Sequence, residues 1–361
     1  MDPDPGREAD GSPWRQGRGA SANPPNRFQG QRLIFDGDLD PADDPAPTTT
    51  FLDDTSRSLL TPNPSRDVPF DFGLNPYRGC EHGCAYCYAR EYHEYAGFSA
   101  GLDFESKILV KLAAPDLLRT ELMRPGWKSG VIGMSGATDC YQPVERRLRL
   151  TRACLTVLAE FRQPVGIITK NALVVRDADL LAQLARHDAV TVALSLTTLD
   201  PDLARDLEPR ASAPAARLQA IRDLSAAGIP ACVNVAPVIP GLNDHEIPAI
   251  LAAARAAGAI AAGFQVVRLS APVQPIFAAW IKRFRPNLES KVLGRIAAVH
   301  GGGPCDNRPG QRHRGEGIWA EQIAALFHLH QRRLGFAPWP TLNTQAFQRP
   351  GEGRQLTLFD L

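Results

Sequence analysis

The sequence predicts an α/β protein assembled from repeated β/α units, and three observations carry that expectation. Short apolar runs rich in β-branched residues alternate with amphipathic segments rich in Ala, Leu and Arg, the rhythm of parallel strands joined by helices packed outside them. Six such units occur without the glycines of a dinucleotide fold, which suits a partial or complete barrel better than an open doubly wound sheet. Three cysteines crowd the loop after the first strand, and the C-terminal ends of strands are where a barrel keeps its chemistry.

The elements follow in order. Residues 1–66 are rich in Pro, Gly, Asp, Arg and Ser, with Leu33-Ile34-Phe35 as the one apolar island. Such a segment cannot bury much surface, so an extended or disordered arm is expected, draped over the main domain. The barrel with its C-terminal helices is expected over 67–335. Its strands are Phe70–Leu74, Gly130–Met134, Val165–Thr169, Ala189–Ser195, Ala231–Val235 and Phe264–Leu269, with Ile108–Lys111 a further short strand. The periodicity places helices near 114–123, 144–161, 177–186, 213–227 and 244–257, then 275–284, 288–300 and 318–334. From Gly335 the periodicity ends, and 336–361 reads as a flexible tail.

Composition narrows the class. Of 361 residues, 44% are hydrophobic and 22% charged, ordinary for a globular protein. The formal charge of +1 gives no global field toward nucleic acid or membrane. Arg outnumbers Lys 34 to 6, a bias of genome composition more than of function. The acidic start MDPDPGREAD is no secretory signal, and no run of about 18 apolar residues exists. A cytoplasmic protein is expected. The seven cysteines are Cys80, Cys84, Cys87, Cys140, Cys154, Cys232 and Cys305. An odd count with one tight cluster reads as a metal site in a reducing compartment, not a disulfide framework.

The cluster loop reads Asn75-Pro-Tyr-Arg-Gly-Cys80-Glu-His-Gly-Cys84-Ala-Tyr-Cys87-Tyr-Ala. Three thiolates spaced C-x3-C-x2-C can wrap one corner of a 4Fe-4S cubane and leave one iron open. Gly79 and Gly83 allow tight turns beneath it. The competing reading is a zinc site with His82 as fourth ligand, yet zinc knuckles pair C-x2-C with distant ligands, whereas these residues lie close together.

The motif resembles that of the radical SAM superfamily, which implies a partial (β/α)6 barrel of the TIM-like type. It also implies a 4Fe-4S cluster on Cys80, Cys84 and Cys87 that binds S-adenosylmethionine and cleaves it to a 5′-deoxyadenosyl radical. Further stretches, GATDCYQPVE (136–145), IITKN (167–171) and PVIPGLND (237–244), are similar to the spore photoproduct lyase-related branch. The phrase GFSAGLDFESKI (97–108) is similar to a bacterial subgroup of it. Two departures stand out: Glu91-Tyr92-His93 follows Ala-Arg in place of a Pro-Thr/Ser-His sequence, and Cys140 stands where a Pro is expected. The resemblance implies a reductant such as flavodoxin or ferredoxin, and Tyr86 as the aromatic next to the last ligand.

Residues at the other strand ends are read with the resemblance in hand. Thr138, Asp139, Tyr141, Gln142 and Glu145 follow the second strand, where the resemblance places the methionyl end of S-adenosylmethionine, although Thr138, Asp139 and Glu145 also suit a helix N-terminus. Lys170 and Asn171 end the third strand, where a lysine can hold a substrate phosphate or carboxylate. Ser195 and Arg210 are expected at the ribose and carboxylate. The alternative for Arg210 is a surface ion pair to Glu208 or another acid. Ile239 stands where the superfamily's Gly-x-Ile-x-Gly-x-x-Glu motif brings an Ile to adenine, with Pro237 and Asp244 replacing the outer residues. Cys140 could return a hydrogen atom to a product radical, but lone cysteines are mostly small hydrophobes.

The chain ends Gln355-Leu356-Thr357-Leu358-Phe359-Asp360-Leu361. This matches the pentapeptide by which bacterial proteins dock on the replication sliding clamp, and a relative of a lesion-repair enzyme would reach DNA by that route. Three functions compete: a radical SAM enzyme acting on DNA or nucleotides, one that modifies a protein or small metabolite, and a non-catalytic zinc module.

Overall fold

The computed structural model describes residues 15, 17–28, 48–65, 67–306 and 308–351. Ten strands occur among them: β1 (Thr50–Asp53), β2 (Leu60–Pro62), β3 (Phe72–Leu74), β4 (Tyr77–Arg78), β5 (Lys107–Val110), β6 (Ile132–Met134), β7 (Val165–Thr169), β8 (Val190–Ser195), β9 (Ala231–Val238) and β10 (Ala261–Val266). Seven form one sheet in the order β10-β9-β8-β7-β6-β3-β2, parallel throughout except for antiparallel β2. The small sheet β1-β5-β4 stands beside it.

Alternation along each strand sorts the side chains. Ile132, Met134, Val165, Ile167, Val190, Val192, Val233 and Val235 pack with helix residues such as Leu118, Leu155, Leu184, Ile221 and Ile250 in the main core. The opposite face is lined by small residues, with Ala193, Cys232 and Ala261 clustered against Ile168. Gly73, Gly133 and Gly166 stand in register on adjacent strands. A Cβ on Gly133 would lie 2.5 Å from the Phe70 ring, so the bare backbone there makes room for that ring.

The sheet does not close on itself: β10 and β2 are its two ends. The segment 304–316 spans between them. The Val266 and Leu269 amides donate to His313 O and Pro304 O at 2.9 and 3.0 Å. On the other side, Gly310 N donates to Asp67 Oδ1 at 2.6 Å, and Arg312 Nε lies 2.5 Å from Asp67 Oδ2.

Five of the six expected barrel strands lie where the apolar runs placed them. The sixth is Ala261–Val266, not Phe264–Leu269. Its Ala-rich start pairs with Cys232 and Val233, and a register shift between Phe264 and Val266 ends the regular ladder early. The expected helix over 144–161 is two helices, Glu145–Leu148 and Leu150–Glu160, broken at Arg149 with φ of 54°. The Glu145 carboxylate accepts from Thr151 N and Arg152 N, so it caps the second helix across the break.

Two boundary expectations are corrected. The described part of 1–66 belongs to the folded body: β2 pairs with β3, β1 with β5, and Leu59 is buried in the main core. Its attachment runs through backbone, with Leu59 N and Leu60 N donating to the buried Glu121 carboxylate, so apolar content does not report it. Residues 336–348, expected as flexible tail, cross the N-terminal ends of the strands. Ala337 N donates to Ile260 O, Asn343 N to Asp188 O and Gln348 N to Phe161 O, while Phe347 stacks on Phe161. No described helix is long and apolar enough to cross a membrane.

Ending the chain after Phe336 removes these bonds and uncovers Phe161. The melting temperature, followed by far-UV circular dichroism, is expected to fall by about 5 °C, from a loss on the order of 2 kcal/mol.

Candidate active site

The cysteine loop is held by its own glycines and by a buried ion pair. Gly79 and Gly83 have φ of 80° and 67°, a region that disfavours side chains. A Cβ on Gly79 would lie 3.0 Å from Phe104 O, and one on Gly83 2.7 Å from Glu105 Oε2. Arg90 is fully buried and spends its guanidinium on the loop. Nε donates to Cys84 O at 2.9 Å and Nη2 to Gly83 O at 3.1 Å and Glu105 Oε1 at 2.5 Å. Nη1 reaches the carbonyls of Ala100 and Gly101, both at 3.0 Å. Removing one member of such a pair typically costs about 3–5 kcal/mol, because the other charge is stranded.

A strap from the N-terminal segment covers this arrangement. Gly19 N donates to Glu105 Oε2 at 3.1 Å, and Arg18 Nη1 to Glu105 O at 2.8 Å. A Cβ on Gly19 would overlap Gly83 O at 1.6 Å, so only glycine lets the two backbones meet.

Cys80 and Cys84 are buried and Cys87 is half-buried, all three as free thiols. Burial pushes each of them up, and for Cys80 the neighbouring Asp139 and the other two thiols add to it. Such thiols become thiolates only against a strong local positive charge, which iron supplies. Among the described residues no three His, Cys, Asp or Glu side chains gather closely enough to share one metal ion. The donor set itself, three thiols of one C-x3-C-x2-C loop, suits a cluster of several irons, each thiolate taking a different one. His82 is no free fourth ligand: Nδ1 lies 3.4 Å from Asp139 Oδ2 and Nε2 3.2 Å from Asn171 Nδ2.

Beneath Cys84 and Tyr86 lies a buried polar network at the strand ends. The Glu208 carboxylate accepts from the Tyr86 and Thr197 hydroxyls and from Arg217, with Lys170 Nζ at 3.2 Å. Lys170 also donates to Thr197 Oγ1 at 3.2 Å and Ala236 O at 2.8 Å. Burial works against the Glu208 charge, but Arg217 and Lys170 outweigh it and hold the carboxyl well below its ordinary range.

The expected site residues divide accordingly. Tyr86, Lys170, Asp139 and Asn171 do gather around the cysteine loop. Asp139 is saturated by His82, Tyr141 N, Thr169 Oγ1 and Lys170 N. Burial opposes its ionisation, and His82 with these donors more than offsets that. Asn171 caps the short helix Ala172–Asp177 through Leu173 N, and Lys170 bonds Thr197, Ala236 and Glu208 as described above. Thr138 Oγ1 donates to Tyr77 O at 2.9 Å. Ser195 is buried on the barrel's inner face, its carbonyl accepting from Arg217. Arg210 pairs with Glu81 at 3.7 Å and not with Glu208.

Three expectations are overturned. Glu145 accepts from Tyr77 OH, Thr151 N, Arg152 N and Arg176 Nη2, which fills a carboxylate's lone pairs and leaves none for an amine. Cys140 is fully buried in the strand–helix core, so it is a packing residue and faces no substrate. Ile239 is fully buried in the core beneath the cysteine loop with Leu207 and Phe277, and presents no platform for adenine. Gln355, Leu356, Leu358 and Phe359 lie outside the described residues.

Sequence reasoning missed Arg90, Glu105 and Arg217 altogether, and it read Gln142 and Glu208 as strand-end residues without seeing the buried network they join. Gln142 joins the loop to β6, its Oε1 accepting from Glu81 N and its Nε2 donating to Gly79 O. Nothing in the local pattern marks these as buried; the Glu208-Pro209-Arg210 run looks like an exposed turn.

The comparisons with known proteins bear on this geometry. The radical SAM superfamily model matches residues 74–254, half of the chain, from β3 through the strap-covered loop to the helix after β9. The chain belongs to the radical SAM superfamily. A 4Fe-4S cluster and S-adenosylmethionine are the cofactors of that superfamily. An uncharacterised protein of Mycobacterium tuberculosis is 38% identical over 245 residues, 67% of this chain and 72% of its own. Another, of Methanocaldococcus jannaschii, is 31% identical over 184 residues, 51% of this chain and 66% of its own. Among solved structures, spore photoproduct lyase complexed with dinucleoside spore photoproduct superposes with a TM-score of 0.53 at 15% identity, over 79% of this chain and 78% of that one. A variant of that lyase with bound AdoMet gives 0.54 at 15%, over 85% and 84%. At that identity the likeness is one of fold, and it agrees with the partial barrel read from the β/α rhythm.

His93, where the sequence departs from the family phrase, packs on the loop between Phe98 and Phe104, and neither ring nitrogen makes a hydrogen bond of good geometry. Burial pulls it down to about 4. Its neutral form therefore contributes stability that is present above about pH 6.5 and lost as pH falls toward 4, on the order of 3 kcal/mol. His313, also lowered to about 4 by burial, titrates in the same window. Urea denaturation between pH 7 and 4 is expected to show this loss, and His93→Phe to reduce the slope by about half.

Proposed function

We propose that this chain binds a 4Fe-4S cluster through Cys80, Cys84 and Cys87 and uses S-adenosylmethionine to abstract hydrogen from a nucleotide or a DNA lesion. The reading is supported above all by one observation: three thiols sit at the C-terminal ends of the barrel strands, in a loop pinned by the buried Arg90–Glu105 pair. When bound, the cluster supplies the electron that cleaves S-adenosylmethionine. The protein's own residues position and exclude. Arg90 and Gln142 fix the carbonyls of residues 79, 83 and 84, so the thiols are presented without reorganisation. The Gly19 strap keeps water off one side of the loop. Lys170 and Arg217 keep Glu208 ionised beneath Tyr86, which fixes the ring and the loop above it.

The nucleic-acid substrate rests on the stretches shared with the spore photoproduct lyase-related branch, and a flavodoxin or ferredoxin is the proposed reductant. Anaerobic reconstitution with iron and sulfide is expected to give a 4Fe-4S absorbance and, with dithionite and S-adenosylmethionine, 5′-deoxyadenosine. Cys84→Ala is expected to lose both. One zinc per chain without acid-labile sulfide would instead establish the zinc module.

The terminal peptide is proposed to tether the enzyme to the bacterial sliding clamp. Surface plasmon resonance against immobilised clamp is expected to show binding by the full chain and at least about a tenfold loss on deleting residues 355–361. Equal binding by both chains rules the tether out.

A further inference from the structure

Among the described residues, Arg268 at the mouth of the barrel makes no ion pair with a carboxylate. Arg268 follows β10 by two residues and is half-buried. Its guanidinium lies over the ring of Tyr88, with Cζ 4.8 Å from the centroid, and its positive charge also acts on the neighbouring Tyr92 phenol. Tyr88 comes directly after the ligand Cys87, and its hydroxyl is fixed to Gly136 O at 2.7 Å. Tyr92 meets Tyr88 edge-on at 6.4 Å and is 43% exposed.

The surrounding charges are accounted for elsewhere. Arg312, brought to the same mouth by the segment 304–316, is neutralised by Asp67 at 2.5 Å. Asp306 pairs with Arg308 at 2.6 Å. Glu91 acts on Tyr92 and Cys305 but makes no ion pair with Arg268. His313 stays neutral near pH 7: burial lowers it, and the positive fields of Arg268 and Arg312 lower it further. Among the described residues, then, Arg268 stands without a carboxylate, whereas Arg90, Arg152, Arg176 and Arg217 are all paired.

We propose that Arg268, held flat on Tyr88 and flanked by Tyr92, is the subsite for a phosphate group of the substrate. A guanidinium fork matches two phosphate oxygens, and stacking on an aromatic ring orients it without occupying its outward N–H groups. The exposed Tyr92 ring beside it offers a face on which a base can stack. The phosphate can belong to a free nucleotide or to a strand, since both present the same oxygens. The inference rests on the reading that substrate lies next to the cluster loop, and it supplies the local positive charge that the overall +1 does not reveal.

The test is equilibrium binding to the anaerobically reconstituted protein, so it does not depend on turnover. The probes are thymidine, thymidine 5′-monophosphate and a thymidine dinucleotide joined by one phosphodiester. Both phosphate-bearing probes are expected to bind about tenfold or more tightly than thymidine, with affinity falling as salt rises. Arg268→Gln is expected to bring them down to the level of thymidine, and Arg268→Lys to keep part of the difference. Melting curves within a few degrees of the parent protein establish that both variants fold. A tighter monophosphate points to a nucleotide and a tighter dinucleotide to a strand. Equal binding of all three probes, no binding by either phosphate, or an unchanged preference in Arg268→Gln overturns the subsite. Failure of the parent protein to release 5′-deoxyadenosine would count against the radical chemistry alone.

Discussion

The buried pair between Arg90 and Glu105 is the constraint on which the site depends. A guanidinium with no exposure is tolerable only where every N–H finds an acceptor. Here the acceptors are one carboxylate and the carbonyls of residues 83, 84, 100 and 101. The desolvation cost of the charge is thereby turned into a fixed path for the cysteine loop. Glu105 then uses its other oxygen and its carbonyl to bind the strap at Gly19 and Arg18. One ion pair thus connects the loop, the helix Leu102–Ser106 and the N-terminal segment.

A second layer repeats the principle under the loop. Glu208 has no exposure, and it gathers a phenol, a hydroxyl, a lysine and an arginine from different elements. Removing Lys170 or Arg217 would leave a buried carboxylate undercompensated, which is far costlier than losing a surface pair. These side chains are thus framework as well as active-site lining.

The fold was legible to the extent that it is periodic. Val165–Thr169, Ala231–Val235 and the helix Ala114–Met123 show the strand and helix signatures that burial imposes. The cysteine loop stood out in the sequence because three cysteines so close together have few other uses. What stayed hidden depends on contacts far apart in sequence. Whether Glu145 meets a cofactor or Arg176 is decided by a residue 31 positions away, and Cys140 looks the same in sequence whether it faces the core or the barrel. Leu59 and Phe347 were missed for a related reason. Each lies in a stretch that is mostly polar or turn-forming, attached through backbone bonds that composition does not record.

The meeting of Gly19 with Gly83 has a consequence for the order in which the molecule is made. The strap precedes the cysteine loop in the chain and leaves the ribosome before it, yet its acceptor is the carboxylate of Glu105 and its contact surface is that loop. Until residues 80–105 are synthesised and folded it has nothing to bind. The first described segment to be translated therefore cannot seat until a later one has folded, and during that interval the three thiols remain open on the side the strap will close.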